Sequence, residues 1–334
     1  MKAVWFETFG NANDVLIYGD QPTPTPAPGE VLVKLAYAGV NPSDVKKRAG
    51  AFPNLLDAGL VIPNSDGAGK IVAAGEGVAE SRVGETVFVY QGQYGRQLGT
   101  TAEYIAINSM RAPKLPDHID PAIGACIGIP IMTAHRCVFA DGDVKDLTLL
   151  ITGGAGRVGY YAIQWAKNAG AKVIATASND TDRDLCLTLG ADAVVNHRDT
   201  DWGTQVLEQT YGQKVDRVVD VEFGANLSEV LKCIRIGGTI ATYSSTQVAA
   251  PQLPFRDMMF MDLTVRMVIV YAMPETAKTQ AVADTFNALD KGWMRHRIAH
   301  RVPMNQPALA HELIEQGGFG GCVVIKIDES NGDQ

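Results

Sequence analysis

Leu147-Thr-Leu-Leu-Ile-Thr-Gly-Gly-Ala-Gly-Arg-Val-Gly159 runs on into Tyr160–Ala169 and then into Lys172-Val-Ile-Ala-Thr-Ala177. The stretch reads as strand, glycine turn, helix and strand, with G-x-G-x-x-G at Gly154, Gly156 and Gly159. Alone the glycine pattern is weak, but inside a strand–turn–helix–strand context it points to a dinucleotide. One glycine makes the tight turn, one lets backbone N–H groups approach the pyrophosphate, and one lets the helix pack on the strand. The pyrophosphate then sits at the positive end of the helix, which makes Gly154, Ala155, Gly156, Arg157, Val158 and Gly159 candidate cofactor contacts.

Outward from this unit, helices and strands alternate. The pattern predicts helices over Thr181–Leu189, Trp202–Tyr211 and Asn226–Cys233, and strands over Ala193–Val195, Arg217–Val221, Gly238–Tyr243 and Val265–Tyr271. Such alternation means a parallel sheet covered by helices, entered through a helical segment near Pro121–Phe139. The first third differs. Val31–Ala36, Gly69–Gly75 and Glu85–Tyr90 are short strand-like runs separated by Gly and Pro, which suits a compact β-barrel. Helices at Glu275–Lys291 and Pro307–Gln316 and a strand at Cys322–Ile327 are expected to fold back onto that first region, before a frayed Glu329–Gln334. Pro22–Pro28 reads as an extended surface connector.

A length of 334 residues suggests about two domains, and 46% hydrophobic with 20% charged residues suffices for a large core. The net charge of −8 carries no basic footprint for nucleic acid. Met1–Glu7 meets an acid too early for the apolar region of a signal peptide, and Val265–Met273 is interrupted by Arg266 and too short for a membrane span. Five cysteines without C-x-x-C spacing disfavour a disulfide framework and a thiolate zinc site, and read as small buried side chains in a cytoplasmic protein. His118, His135, His296, His300 and His311 share no ligand spacing and read as surface or capping histidines.

The choice of cofactor turns on the tip of the second strand. An NAD site usually places a carboxylate there, about 20 residues past the glycines. Here Ala177 is followed by Ser178 and Asn179. Small or hydroxylated residues with a nearby cation accommodate a 2′-phosphate, so NADPH is expected, with Ser178 as phosphate ligand and Arg183, His197 and Arg198 as candidate cations. Asp180 and Asp182 are close and of the wrong sign, and Arg183 or Arg198 alone also reads as a solvated surface charge. Tyr243, at the end of its strand, is a further candidate cofactor contact.

These residues, together with Gly39-Val-Asn-Pro-Ser-Asp44, Ile62–Gly69, Thr101-Ala-Glu-Tyr104, Gly128–Ala134 and Val195-Asn-His-Arg198, make the chain resemble the zeta-crystallin-type quinone oxidoreductases along nearly its whole length. That family is a zinc-independent branch of the medium-chain dehydrogenase/reductase superfamily. The resemblance implies an α/β fold: a GroES-like β-barrel domain over residues 1–120, a Rossmann doubly wound parallel-sheet domain over 121–268, and residues 269–334 completing the first domain. It implies an active site in the cleft between domains, and a homodimer paired through the strand near Val265–Tyr271. Where metal-dependent relatives carry cysteine, His-Glu and cysteine, this chain has Asn41, Ser65-Asp66 and Ile129, so no metal is expected.

Without a Lewis acid, hydride delivery to an already electrophilic acceptor remains, with donors stabilising the developing oxyanion. By the resemblance Asn41 is the first candidate donor, and its plainer reading is a turn residue before Pro42. Thr133 is implied to contact the nicotinamide carboxamide, with a helix-interior hydroxyl as the alternative. Where close relatives place two tyrosines this chain has Lys46 and Phe52. Lys46 is a candidate proton or hydrogen-bond donor, although Lys46-Lys47-Arg48 reads first as a solvated basic run. Arg157 either reaches a phosphate or points outward, and Gly317–Gly321 lacks a base that can stand near the cofactor. The expected activity is reduction of a quinone by NADPH. The alternatives are an NADPH-dependent enoyl or alkenal double-bond reductase and an NADPH-binding protein with an RNA-binding or sensing role. A small-molecule electrophile is the expected partner, and neither nucleic acid nor membrane is.

Overall fold

A computed structural model describes residues 1–327; the frayed end expected at Glu329–Gln334 lies outside the described residues. The chain divides into two compact units, one of Met1–Ile129 with the residues from Val282 onward, the other of Pro130–Ala281.

In the first unit β1 (Lys2–Trp5) pairs antiparallel with β2 (Ile17–Asp20), with α1 (Ala12–Val15) between them. A second sheet is built on the long β3 (Glu30–Val40), followed by α2 (Pro42–Arg48), β4 (Asp66–Ala74), β5 (Thr86–Val89), β6 (Tyr104–Asn108) and α3 (Pro121–Gly124). Helix α4 (Gly128–Phe139) carries the chain into the second unit.

There the elements alternate: β7 (Thr148–Ile151), α5 (Arg157–Asn168), β8 (Lys172–Ala177), α6 (Asp180–Thr188), β9 (Ala193–Asn196), α7 (Trp202–Gln209), β10 (Val215–Asp220), α8 (Phe223–Cys233), β11 (Ile234–Thr242), α9 (Phe255–Phe260) and β12 (Thr264–Met267). Helix α10 (Glu275–Asp290) leads back to the first unit, whose β13 (Ile298–Pro303), α11 (Pro307–Gln316) and β14 (Cys322–Lys326) complete its sheet in the order β13-β14-β3-β4-β5, with β6 also on β3.

Why these residues form these layers follows from their sides. Strand β3 alternates inward Val31, Val33 and Leu35 with more exposed residues, as a one-sided antiparallel strand must. Strands β7, β8 and β10 are buried almost end to end, as strands covered on both faces must be. Their sheet is wholly parallel, in the order β12-β11-β10-β7-β8-β9. Counting from β7, this is the doubly wound order, and the strand order reverses between β7 and β10. Helices α5 and α6 both stop on a left-handed glycine, Gly170 (φ 87°) and Gly190 (φ 104°), each followed by a residue whose N–H returns to the last turn.

The structure corrects several expectations. Both unit boundaries fall inside helices, α4 and α10, later than positions 121 and 268. Pro121–Phe139 is two helices, because Gly124 is pressed against Ala68 and Leu115 while Gly128 restarts the chain against Asp66. The strand expected over Val265–Tyr271 ends at Met267, and a single 3₁₀ turn takes Val270–Ala272. His135 and His311 are buried rather than at the surface. His135 packs edge-on to Trp165 at 5.2 Å between ring centres. All five cysteines are buried and none is in a disulfide, as expected.

His311 is fully enclosed in the first unit, and neither ring nitrogen has a hydrogen-bond partner among the described residues. Burial, helped by the charge of Arg48, pushes its pKa down to about 3. An unfolded chain takes up this proton below about pH 6.5 and the folded one does not, so the contribution is complete above that pH and is lost as pH falls toward 3. The stability difference between wild type and His311→Leu is therefore expected to move against wild type by roughly 2 kcal/mol between neutral pH and about pH 5. Denaturant unfolding of both proteins across that range measures it, and parallel curves would refute it.

Candidate active site

The glycine turn leaves β7 at the point where the sheet order reverses. Gly153, one residue before the motif, takes a left-handed conformation (φ 60°), so the tightest point of the turn falls on it. Gly154 has no room for a side chain, since a Cβ would lie 2.8 Å from Cys186 Sγ and 2.9 Å from Ala175 Cβ. A Cβ on Gly159 would overlap the Gly153 carbonyl and approach Gly154 Cα at 2.9 Å, so this glycine lets α5 close onto the turn. Gly156 is different: a Cβ there meets only Gly153 O, at 3.1 Å. It faces open space at the start of α5, whose first turn has no side-chain cap, leaving N–H groups and the positive end of the helix directed outward. Arg157 opens that helix and is half-buried. The cradle fits a pyrophosphate.

Beside the turn, Thr152 Oγ1 donates to Asp220 Oδ1 at 2.8 Å and accepts from Val221 N at 2.9 Å, locking the tips of β7 and β10 together. Asn226 Nδ2 donates to the same oxygen of Asp220, and burial raises the pKa of this carboxyl. At the tip of β8, Ala177 is buried and Ser178 half-buried. Asn179 caps α6, accepting from Asp182 N at 2.9 Å. His197 follows β9 and its N–H reaches Ala177 O at 3.3 Å, which brings Ser178 and His197 to adjacent strand tips. Partial burial and then Arg198 hold the His197 pKa below its usual value, against the opposing pull of Asp182. Arg183 is exposed on α6.

A cavity of about 350 Å³ opens past the ends of β11 and β12, lined by Phe223, Tyr243, Ser244, Pro251, Met267 and Ile269 among others. Tyr243 thus stands at the carboxyl edge of the sheet with the glycine turn, where ligands of such sheets bind. Thr133 is buried on α4 of the same unit.

Asn41 belongs to the first unit, where it caps α2 ahead of Pro42. Its backbone N–H donates to Asp44 Oδ2 at 2.9 Å and its Nδ2 to Asp66 Oδ2 at 2.9 Å. Both carboxyls are buried, and burial pushes Asp44 up to about 6 and Asp66 up to about 8. The basic run is not solvated as expected. Helical periodicity puts Asp44, Lys47 and Arg48 inside and only Lys46 outside. Lys47 Nζ donates to Gln93 O at 2.6 Å and reaches Ser65 Oγ at 3.5 Å, while Arg48 holds Gly10 O and Glu315. Sequence reading gave Lys47 and Asp66 no place beside Asn41; Asp44, three residues before Lys47 on a helix opening at Asn41, was the available signal for the lysine.

An amide already donating, a hydroxyl beside an ammonium, and a carboxyl shared by two N–H groups do not fit zinc, which takes thiolate, imidazole or carboxylate in a closed set. Among the described residues no group of three or more His, Cys, Asp or Glu is placed to hold a metal.

Gly156→Ala and Gly159→Ala separate binding from folding. Gly156→Ala is expected to weaken dinucleotide binding by roughly tenfold or more with little change in Tm, and Gly159→Ala to lower Tm first. Calorimetric titration and thermal melts of both variants check this, and a normal Kd in Gly156→Ala would sink the pyrophosphate assignment.

Two family models match the chain: the alcohol dehydrogenase GroES-like domain over residues 27–117 and the zinc-binding dehydrogenase over 158–287. The quinone oxidoreductase of Lama guanicoe is 30% identical over 331 residues, covering 97% of both chains. That of Pseudomonas aeruginosa is 28% identical over 97% of this chain and 99% of its own. A mycobacterial protein solved in complex with NADPH superposes with a TM-score of 0.86 at 26% identity, over 98% of this chain and all of that one. Full-length similarity, the two domains and an Asn41 site that does not suit zinc together place the chain in the zinc-independent quinone oxidoreductases of the medium-chain dehydrogenase/reductase superfamily.

Proposed function

We propose that the protein is an NADPH-dependent quinone reductase in which Asn41 donates a hydrogen bond to the acceptor carbonyl. The observation that carries this is the combination of an open pyrophosphate cradle at Gly156 with a metal-unsuited donor, Asn41, held by buried carboxyls. NADPH, when bound, supplies the hydride. The chain's residues bind and orient. The α5 N-terminus takes the pyrophosphate. Ser178, with His197, Arg198 or Arg183, takes the 2′-phosphate, at a strand tip where Ala177 leaves no carboxylate to repel it. Thr133 and Tyr243 serve the nicotinamide end. Asn41 Nδ2 spends one N–H on Asp66 and keeps the other for the oxygen that gains charge as hydride arrives. Lys46 is exposed and is assigned at most a proton from the solvent side.

The test follows NADPH absorbance across a panel of acceptors. Turnover of 1,2-naphthoquinone without turnover of enones is expected; the reverse pattern would make the enzyme a double-bond reductase, which must also protonate the α-carbon. NADPH is expected to exceed NADH in kcat/KM, and equality would refute the reading of Ala177 and Ser178. Asn41→Ala is expected to lower kcat by roughly 100-fold, the loss typical of one oxyanion donor.

We further propose a homodimer in the cytoplasm, formed through β12. This strand is the edge of its sheet, with an unpaired backbone row. Around it Phe255, Met259, Phe260, Met267, Ile269 and Ile236 are all more than half exposed, an apolar face of the kind that marks an interface. No helix among the described residues is long and apolar enough to cross a membrane. Light scattering is expected to give twice the 35.8 kDa chain mass, and Met267→Lys to shift it toward the monomer; a wild-type monomer would overturn this.

A further inference from the structure

We propose that Asp66 is a positioning residue that works as a neutral carboxylic acid, its proton on Oδ1 and its Oδ2 holding the Asn41 amide for the acceptor. The inference rests on the donor role of Asn41 given above.

The geometry assigns the two oxygens different parts. Oδ2 accepts two N–H bonds, from Asn41 Nδ2 at 2.9 Å and from Ile129 N at 2.8 Å. Oδ1 is buried and has no hydrogen-bond partner among the described residues. It lies against Gly128, where a Cβ would overlap it, so bare backbone seals that side. An ionised carboxylate shares its charge over both oxygens and would leave half of it facing nothing, which is costly in a buried site. A carboxylic acid removes that charge, with Oδ2 as the carbonyl and Oδ1 as the hydroxyl, at the smaller cost of one buried O–H without an acceptor.

The surrounding charges point the same way. Helix α2 turns Asp44 and Lys47 toward Asp66, giving two buried carboxyls and one ammonium. Asp44 already accepts from Asn41 N, and it interacts with Lys47 and Ser65. From the α3–α4 link comes Cys126, a thiol whose pKa is raised well above the ordinary value and which contributes no charge near neutrality. Tyr90, after β5, lies beside the same Gly128 but its hydroxyl accepts from Arg111 Nη1 at 2.8 Å. Arg301, on β13, bonds Asp120 at 3.1 Å. Neutralising the cluster therefore needs one proton, and Asp66, pushed up to about 8 against about 6 for Asp44, retains it.

Protonation matters to the reaction because of where the charge grows. The Asn41 amide stands between Asp66 and the acceptor oxygen. An ionised Asp66 sets a negative charge behind the donor that must stabilise a developing oxyanion, and a neutral acid does not. Activity is thus expected to fall as pH rises through about 8.

The experiment compares holoenzyme variants with a quinone and NADPH. Asp66→Ala frees the Asn41 amide and is expected to lower kcat by roughly 10- to 100-fold with a smaller effect on KM. Asp66→Asn reproduces the neutral acid's carbonyl and is expected to restore most of that loss while removing the alkaline limb of the kcat profile. A second readout is independent of turnover: infrared difference spectra titrated from neutral to alkaline pH should show a protonated carboxyl that is absent from Asp66→Asn. If Asp66→Asn is as poor as Asp66→Ala, or if no protonated carboxyl is lost with Asp66, the proposal is overturned while the role of Asn41 stands. If Asn41→Ala keeps wild-type kcat, the donor role fails and the positioning role with it.

Discussion

Asp66 Oδ2 receives two N–H groups from segments far apart in sequence, and much of the first unit is arranged so that it can. One comes from Asn41, where β3 ends and α2 begins; the other from Ile129, where α4 begins. A single buried oxygen thereby fixes β4 to the starts of two helices. The close approach needs residues without side chains. A Cβ on Gly39 would overlap Ala125 O, and one on Gly128 would overlap Asp66 itself. The same constraint explains why the helical run from Pro121 breaks before Gly128: the chain must bend there to present the Ile129 N–H inward.

In the second unit the governing constraint is again closeness of backbone. Gly153, Gly154 and Gly159 are demanded by the fold, through a left-handed angle, a crowded neighbour and a helix closing on a turn. Gly156 alone is not demanded by the fold, which suits the pyrophosphate contact proposed for it. Thr152 and Asp220 tie the strands on either side of the order reversal, so the turn leaves from a rigid edge. The two units thus use one device, omitted side chains, for two ends: tight folding, and access of backbone N–H groups to a ligand.

Much of this was legible beforehand. A short strand-like run marked part of β3, the strand–turn–helix–strand context marked β7 and β8, and the glycine spacing marked the turn, because these signals are local. The errors share a cause as well. Lys47 and Arg48 look like surface charges in a basic run, but a helix turns one of three successive residues outward, and burial of the others depends on the Gln93 carbonyl, Gly10 and Glu315 from distant segments. His311 lies inside because α11 packs its buried face into the first unit's core, which no local pattern announces. Asp66 stood in plain view as a residue replacing a metal ligand, yet its importance comes from the partners it gathers.

By itself the sequence determined the class of fold, the dinucleotide turn and the absence of a zinc-binding set, since each depends on residue types at short fixed spacings. Tertiary structure decided which glycine is free for a ligand, which lysine is buried, and which carboxyl holds Asn41. Those outcomes rest on desolvation and on hydrogen bonds between segments tens of residues apart, and neither exists until the chain has closed on itself.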